Sequence, residues 1–156
     1  MNTHIDRMLR AMAWADRQTL AAVRDCPAAE AEALPLVAHI MGAEHIWLSR
    51  LRNQPSVHSV WPTLSVIECE KLADENAAGY ESFVNGLGGN DLSAVIRYRN
   101  SRGEEFADTV IDILTHVVIH GAYHRGQIAK VLGRAGVAAF STDYITFARS
   151  IEPLGS

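Results

Sequence analysis

Four stretches of this sequence repeat apolar residues at helical spacing, and that leaves few folds open to it. Residues 4–24 place Ile5, Met8, Leu9, Met12, Ala13, Leu20 and Val23 along one helical face. Pro27 and the Ala/Glu run after it read as the first connection. Residues 34–51 carry a second apolar face of Leu36, Ile40, Ala43, Trp47, Leu48 and Leu51, ended by Asn53, Gln54 and Pro55. Residues 55–62 form a loop with two prolines and an aromatic anchor, Trp61. Thr63 or Ser65 caps a third helix that runs to Gly86, where Gly86-Leu87-Gly88-Gly89-Asn90-Asp91 breaks the pattern. The fourth helix spans 108–132 and is stopped by Gly133 and Gly136. A short last helix is predicted at 142–150, capped by Ser141 or Thr142.

Ahead of the fourth helix the period changes. Ala94, Ile96 and Tyr98 alternate with Val95, Arg97 and Arg99, the turn-like Asn100-Ser101-Arg102-Gly103 follows, and 104–106 returns. This pattern predicts a β-hairpin. The fold class is therefore all-α, a four-helix bundle with a short hairpin before the fourth helix. With 156 residues, 48% of them hydrophobic, the chain can build one core, and a single domain over 1–156 is expected. A net charge of -4 lacks the positive field that nucleic-acid binders use, so no nucleic-acid partner is expected. No apolar run approaches the ~20 residues of a membrane span, and the polar start MNTHIDRMLR shows no signal peptide. A cytoplasmic location is expected. Cys26 and Cys69 lack metal-type spacing and read as ordinary thiols in a reducing compartment.

The chemistry lies in a ladder. His116, His120 and His124 stand four residues apart on the fourth helix, with Asp108 and Asp112 in register below them. Each four-residue step turns a side chain by only ~40° and advances it ~6 Å, so the imidazoles line one face. Two imidazoles at i and i+4 can bind one divalent ion. All three cannot, because the outer pair stands ~12 Å apart along the axis. An ion uses either the lower or the upper pair, and His120 belongs to both. A third ligand is available from the second helix, which carries His39, Glu44 and His45. His39 lies beside the inward stripe, but position alone does not decide it against His45, and a solvated face is the simpler reading for Glu44 and His45. Arg125 reads as a salt bridge or partner contact, or as a hold for an anionic substrate. Asp112 is placed to orient His116. His4 and His58 carry no spacing signal.

The segment His116-Val-Val-Ile-His120-Gly-Ala-Tyr-His124-Arg125-Gly126-Gln127-Ile128 resembles the signature of the DinB/YfiT-like superfamily. Leu36-Val-Ala-His39-Ile40-Met41-Gly42-Ala43-Glu44-His45-Ile46-Trp47-Leu48 is similar to that family's second-helix motif, and Thr142-Asp143-Tyr144-Ile145-Thr146-Phe147 to its usual ending. The resemblance spans nearly the whole chain. It implies a four-helix bundle with a three-histidine site, its ligands falling on His39, His120 and His124. It further implies zinc or nickel as the ion, a homodimer, and a small-molecule substrate. Characterised relatives include transferases and isomerases that use low-molecular-weight thiols, and the family name records only induction by DNA damage. The implied function is a metal-dependent enzyme of this family. The rival expectation is a non-catalytic metal-binding stress-response dimer with a structural ion. A fourth ligand from Glu44 or His45 would close the site and favour the rival; an open position favours chemistry.

Overall fold

The computed structural model describes residues 3–88, 91–138 and 140–151. Helix α1, Thr3–Arg24, buries Ile5, Leu9, Met12, Leu20 and Val23 along the predicted stripe, with Asp6 in its first turn and Arg24 in its last to complement the helix dipole. Helix α2, Pro27–Leu51, begins seven residues before the expected start, which corrects the reading of Pro27 as a connection. Proline suits the first helical position because its missing N–H needs no partner there, and the Ala/Glu run behind it has high helix propensity. Pro35 lies inside the helix. Both it and Ala31 are exposed, so the carbonyl it leaves unbonded can be hydrated. The helix ends where Asn53 takes a left-handed conformation, φ 52°, and the Gln54 N–H reaches back 2.8 Å to the Ser49 carbonyl.

Of the two candidate caps for helix α3, Val66–Asn85, Ser65 is the one used. Its hydroxyl accepts from Glu68 N–H while Glu68 accepts from Ser65 N–H at 2.7 Å, a reciprocal capping box. Gly89 and Asn90 of the predicted break lie outside the described residues. A single 3₁₀ turn, Asp91–Ser93, leads into strand β1, Val95–Arg99, which pairs antiparallel with β2, Glu105–Thr109, so that Tyr98 faces Phe106. Gly103 supplies the positive φ of the turn, and Asn100 Oδ1 accepts from the N–H groups of Arg102 and Glu104. The second strand is longer than predicted and takes Asp108 out of the helix. Helix α4, Val110–Arg134, starts after Thr109, whose hydroxyl accepts from Asp112 N–H. Helix α5, Tyr144–Ile151, starts two residues late and seats Phe147 near Trp14.

The core has two apolar halves. One joins Leu20 and Val23 to Val37–Met41 residues of α2, Cys69 and Leu72 of α3, and Ile128 and Leu132 of α4. The other joins Ile5 and Leu9 to Leu48 and Leu51, Tyr80 and Val84, and Ile113 and Leu114. These groupings make α1 and α4 run one way and α2 and α3 the other. Because α2 and α3 are parallel, the chain between them, residues 52–65, must travel back along the bundle. It does so against α2 at Gly42, where a Cβ would lie 2.8 Å from both Pro62 Cδ and the Ser59 carbonyl. Any side chain at position 42 would push this loop away. No helix among the described residues is long and apolar enough to cross a membrane.

Candidate metal centre

The antiparallel packing of α2 on α4 sets His39 against the upper two rungs of the ladder. His39 Nε2 lies 3.2 Å from His120 Nε2 and 3.2 Å from His124 Nε2. Among the described residues, these are the three side chains of metal-ligand type whose donor atoms converge, all within 4.8 Å of one another. A four-coordinate ion with ~2.05 Å bonds to imidazole holds neighbouring nitrogens ~3.3 Å apart, so the spacing fits a shared ion.

The outward nitrogens fix which face of each ring points in. His39 Nδ1 lies 2.7 Å from the Val60 carbonyl, which can only accept, so the neutral ring carries its proton there and turns the Nε2 lone pair inward. His124 Nδ1 lies 2.7 Å from Gln127 Oε1, three residues further along the same helical face, with the same consequence. Lone pairs therefore meet at about 3.2 Å with no N–H between the His39 and His124 rings. That arrangement is repulsive by itself and is relieved by a cation. Trp61 stacks on His39, centroids 3.9 Å apart and planes 10° from parallel, and covers it on the solvent side. Burial and the surrounding His124, His39, His116 and Arg125 push His120 down to about 4, and burial lowers His39 too. Both rings are therefore neutral near pH 7, the form that binds metal. The site can hold a metal ion.

The other predicted groups lie elsewhere. His116 is exposed, its ring 5.6 Å from His120 and edge-on to Trp47 at 5.1 Å. Asp108 sits in β2, off the ladder, and accepts from the Tyr98 hydroxyl at 2.6 Å; Asp112 stays on α4 four residues before His116, but its carboxylate takes the Thr109 hydroxyl rather than the His116 ring. His45 packs edge-on to His58 at 4.8 Å. Glu44 is not on a solvated face: it is 2% exposed. It joins Asp16, Asn76 and Arg125, one from each long helix, in a polar layer between the two apolar halves of the core. Arg125 donates to Asp16 Oδ1 at 2.7 Å, the salt bridge that was one of its expected roles, and so does not face a substrate. Its guanidinium folds back over Gly121, where a Cβ would lie 2.7 Å from Nη1. Burial and Asp16 raise Glu44 well above the ordinary carboxylate range, and burial raises Asp16. Arg125 touches Asp16 rather than Glu44, so the shared proton resides on Glu44, whose Oε1 has no donor facing it.

Sequence reasoning gave no role to Val60 or Gln127, and it read Trp61 only as a loop anchor. A carbonyl leaves no mark in a sequence. Gln127 had a visible signal, three residues beyond His124 on one face. Asp16 had one as well, four residues after Met12 and four before Leu20 within the apolar stripe of α1.

A sequence model of the DinB family matches residues 1–154. The chain is also similar to Protein DinB of Bacillus subtilis (strain 168), with 42% identity over 53 residues, which is 34% of this chain. The match covers 31% of that relative, so it spans about a third of its length. No solved structure matches the chain.

Proposed function

The chain belongs to the DinB family, and on that premise we propose that it is a metal-dependent enzyme whose divalent ion, zinc or nickel, is held by Nε2 of His39, His120 and His124. The observation that carries this reading is the convergence of the Nε2 atoms of three histidines, with no fourth side chain of metal-ligand type joining them among the described residues. Glu44 is committed to the buried layer and His45 to His58, so neither closes the site. Structural zinc sites normally have four protein ligands, and catalytic ones keep a position open. An ion bound there supplies Lewis acidity that lowers the pKa of a coordinated thiol or water.

The chain's own residues orient and shield. Val60 and Gln127 hold two ligands in one tautomer, and Trp61 keeps water from one face of His39. The reaction class is transfer or isomerisation using a low-molecular-weight thiol, acting on a small-molecule substrate. The protein works in the cytoplasm as a homodimer, for which exposed Ile119 and Tyr123, 61% and 66% accessible and four residues apart on α4, offer an apolar contact. Metal analysis of protein purified without added metal, followed by a panel of thiols and electrophiles, tests the proposal. About one zinc or nickel per chain with thiol-dependent turnover supports it. Full occupancy with no turnover returns the protein to the non-catalytic reading.

A further inference from the structure

A second concave site lies at the C-terminal end of α2, between that helix, the 52–65 loop and the hairpin. Its volume is about 520 Å³, within the range of small-molecule sites. Arg50, Arg97 and Arg99 line it, with Tyr98, His58 and Asn53, and among the described residues no Asp or Glu does. In a chain of net charge -4 this is an unexpected concentration of positive charge.

The arginines differ in their state. Arg99 is committed to Glu105 across the hairpin. Arg50 is half-buried between two aromatic rings, its guanidinium carbon 4.4 Å from the Trp47 centroid and 4.5 Å from the Tyr98 centroid. With its faces covered, its N–H groups remain available along the edge, in the fork that matches a planar oxyanion. Among the described residues no carboxylate pairs with Arg50 or Arg97. Burial lowers the Arg50 pKa, the sign of a cation held partly out of water without a full counter-charge. Tyr98 is fixed by its hydrogen bond to Asp108, so the stack on Arg50 is built before any ligand arrives.

We propose that this cavity binds a small molecule through a carboxylate or phosphate group, gripped by the edge of Arg50 and neutralised by Arg97. The size of the cavity favours a compact anion over a polymer. The site shares the 52–65 loop with the histidine cluster, because Val60 both lines the cavity and holds His39. It does not depend on an ion being bound there.

The test is calorimetric titration of metal-loaded protein at low ionic strength with glutarate, inorganic phosphate, glycerol phosphate and a short DNA duplex. The first three separate carboxylate from phosphate as the preferred group. At least one should bind, and Arg50→Gln should weaken it by ~tenfold or more, the value of one lost charge-assisted hydrogen bond. Arg50→Lys keeps the charge but loses the fork and the planar stack, so it should weaken binding as well. Arg97→Gln, on the exposed hairpin, checks the site without disturbing the helices. Unchanged metal content and circular dichroism show that each variant is folded. The proposal is overturned if no small anion binds, if binding survives both glutamine variants, if it disappears on removing the metal, or if the duplex binds more tightly than every small anion.

Discussion

The buried layer of Asp16, Glu44, Asn76 and Arg125 makes a quantitative claim about charge balance. It contains one guanidinium and two carboxylates, and it is neutral only if one carboxylate keeps its proton. Asp16→Asn removes the ionised partner of Arg125, whose donor sits 2.7 Å away and whose side chain is 5% exposed. Glu44 can then release its proton and supply the missing charge, so the cost should be modest, on the order of 1 kcal/mol. Glu44→Gln alone should be as mild, because Gln is also neutral and can donate to Asp16. The double variant leaves a buried guanidinium with no counter-charge, a loss of ~3–5 kcal/mol. For a chain of this size that is a fall of ~6–20 °C in the melting midpoint. Urea unfolding of the four metal-free proteins at neutral pH gives the full cycle. The expected coupling exceeds ~1 kcal/mol. Additivity within ~0.5 kcal/mol would refute the reasoning, since it would mean that neither carboxylate compensates for the loss of the other.

Other consequences are more direct. His120→Ala should remove most bound metal, while His116→Ala should leave it in place, because the His116 ring lies outside the cluster; equal loss on metal analysis would reject the assignment. Glu44 has a folded pKa raised above its ordinary 4.5, so its contribution to stability is present below that value and is lost as pH rises through the raised one. Stability measured from about pH 5 upward should therefore decline less in Glu44→Gln than in the wild type, and parallel curves would contradict this. Sedimentation at micromolar concentration should give twice the 17.1 kDa chain mass, and a monomer throughout would remove the proposed dimer.

What the sequence made legible was local. The stripe of α1, the hydroxyl cap ahead of α3, the alternation of the hairpin and the four-residue histidine ladder each follow from a few neighbouring residues, and each is present. The start of α2 was misplaced because proline signals both a break and a helix beginning. The long return of the 52–65 loop follows from α2 and α3 running parallel, which no local pattern states. Glu44 was misread because its partners, Asp16 and Arg125, come from helices far away in sequence.

That misreading bears on how the metal centre is aligned. His39 meets His120 and His124 only if α2 and α4 pack at one axial level. Apolar surfaces alone discriminate poorly between levels, since a slide of one turn, ~5.4 Å, presents another set of aliphatic side chains. The polar layer does discriminate. A one-turn slide of α4 would carry Arg125 away from Asp16 and place a cation against the aliphatic core on either side, at a cost of several kcal/mol. It would also draw the Nε2 atoms well beyond the ~4 Å within which two nitrogens can share an ion. One axial level satisfies both requirements, so the bundle that buries its charges correctly has already brought the three histidines together.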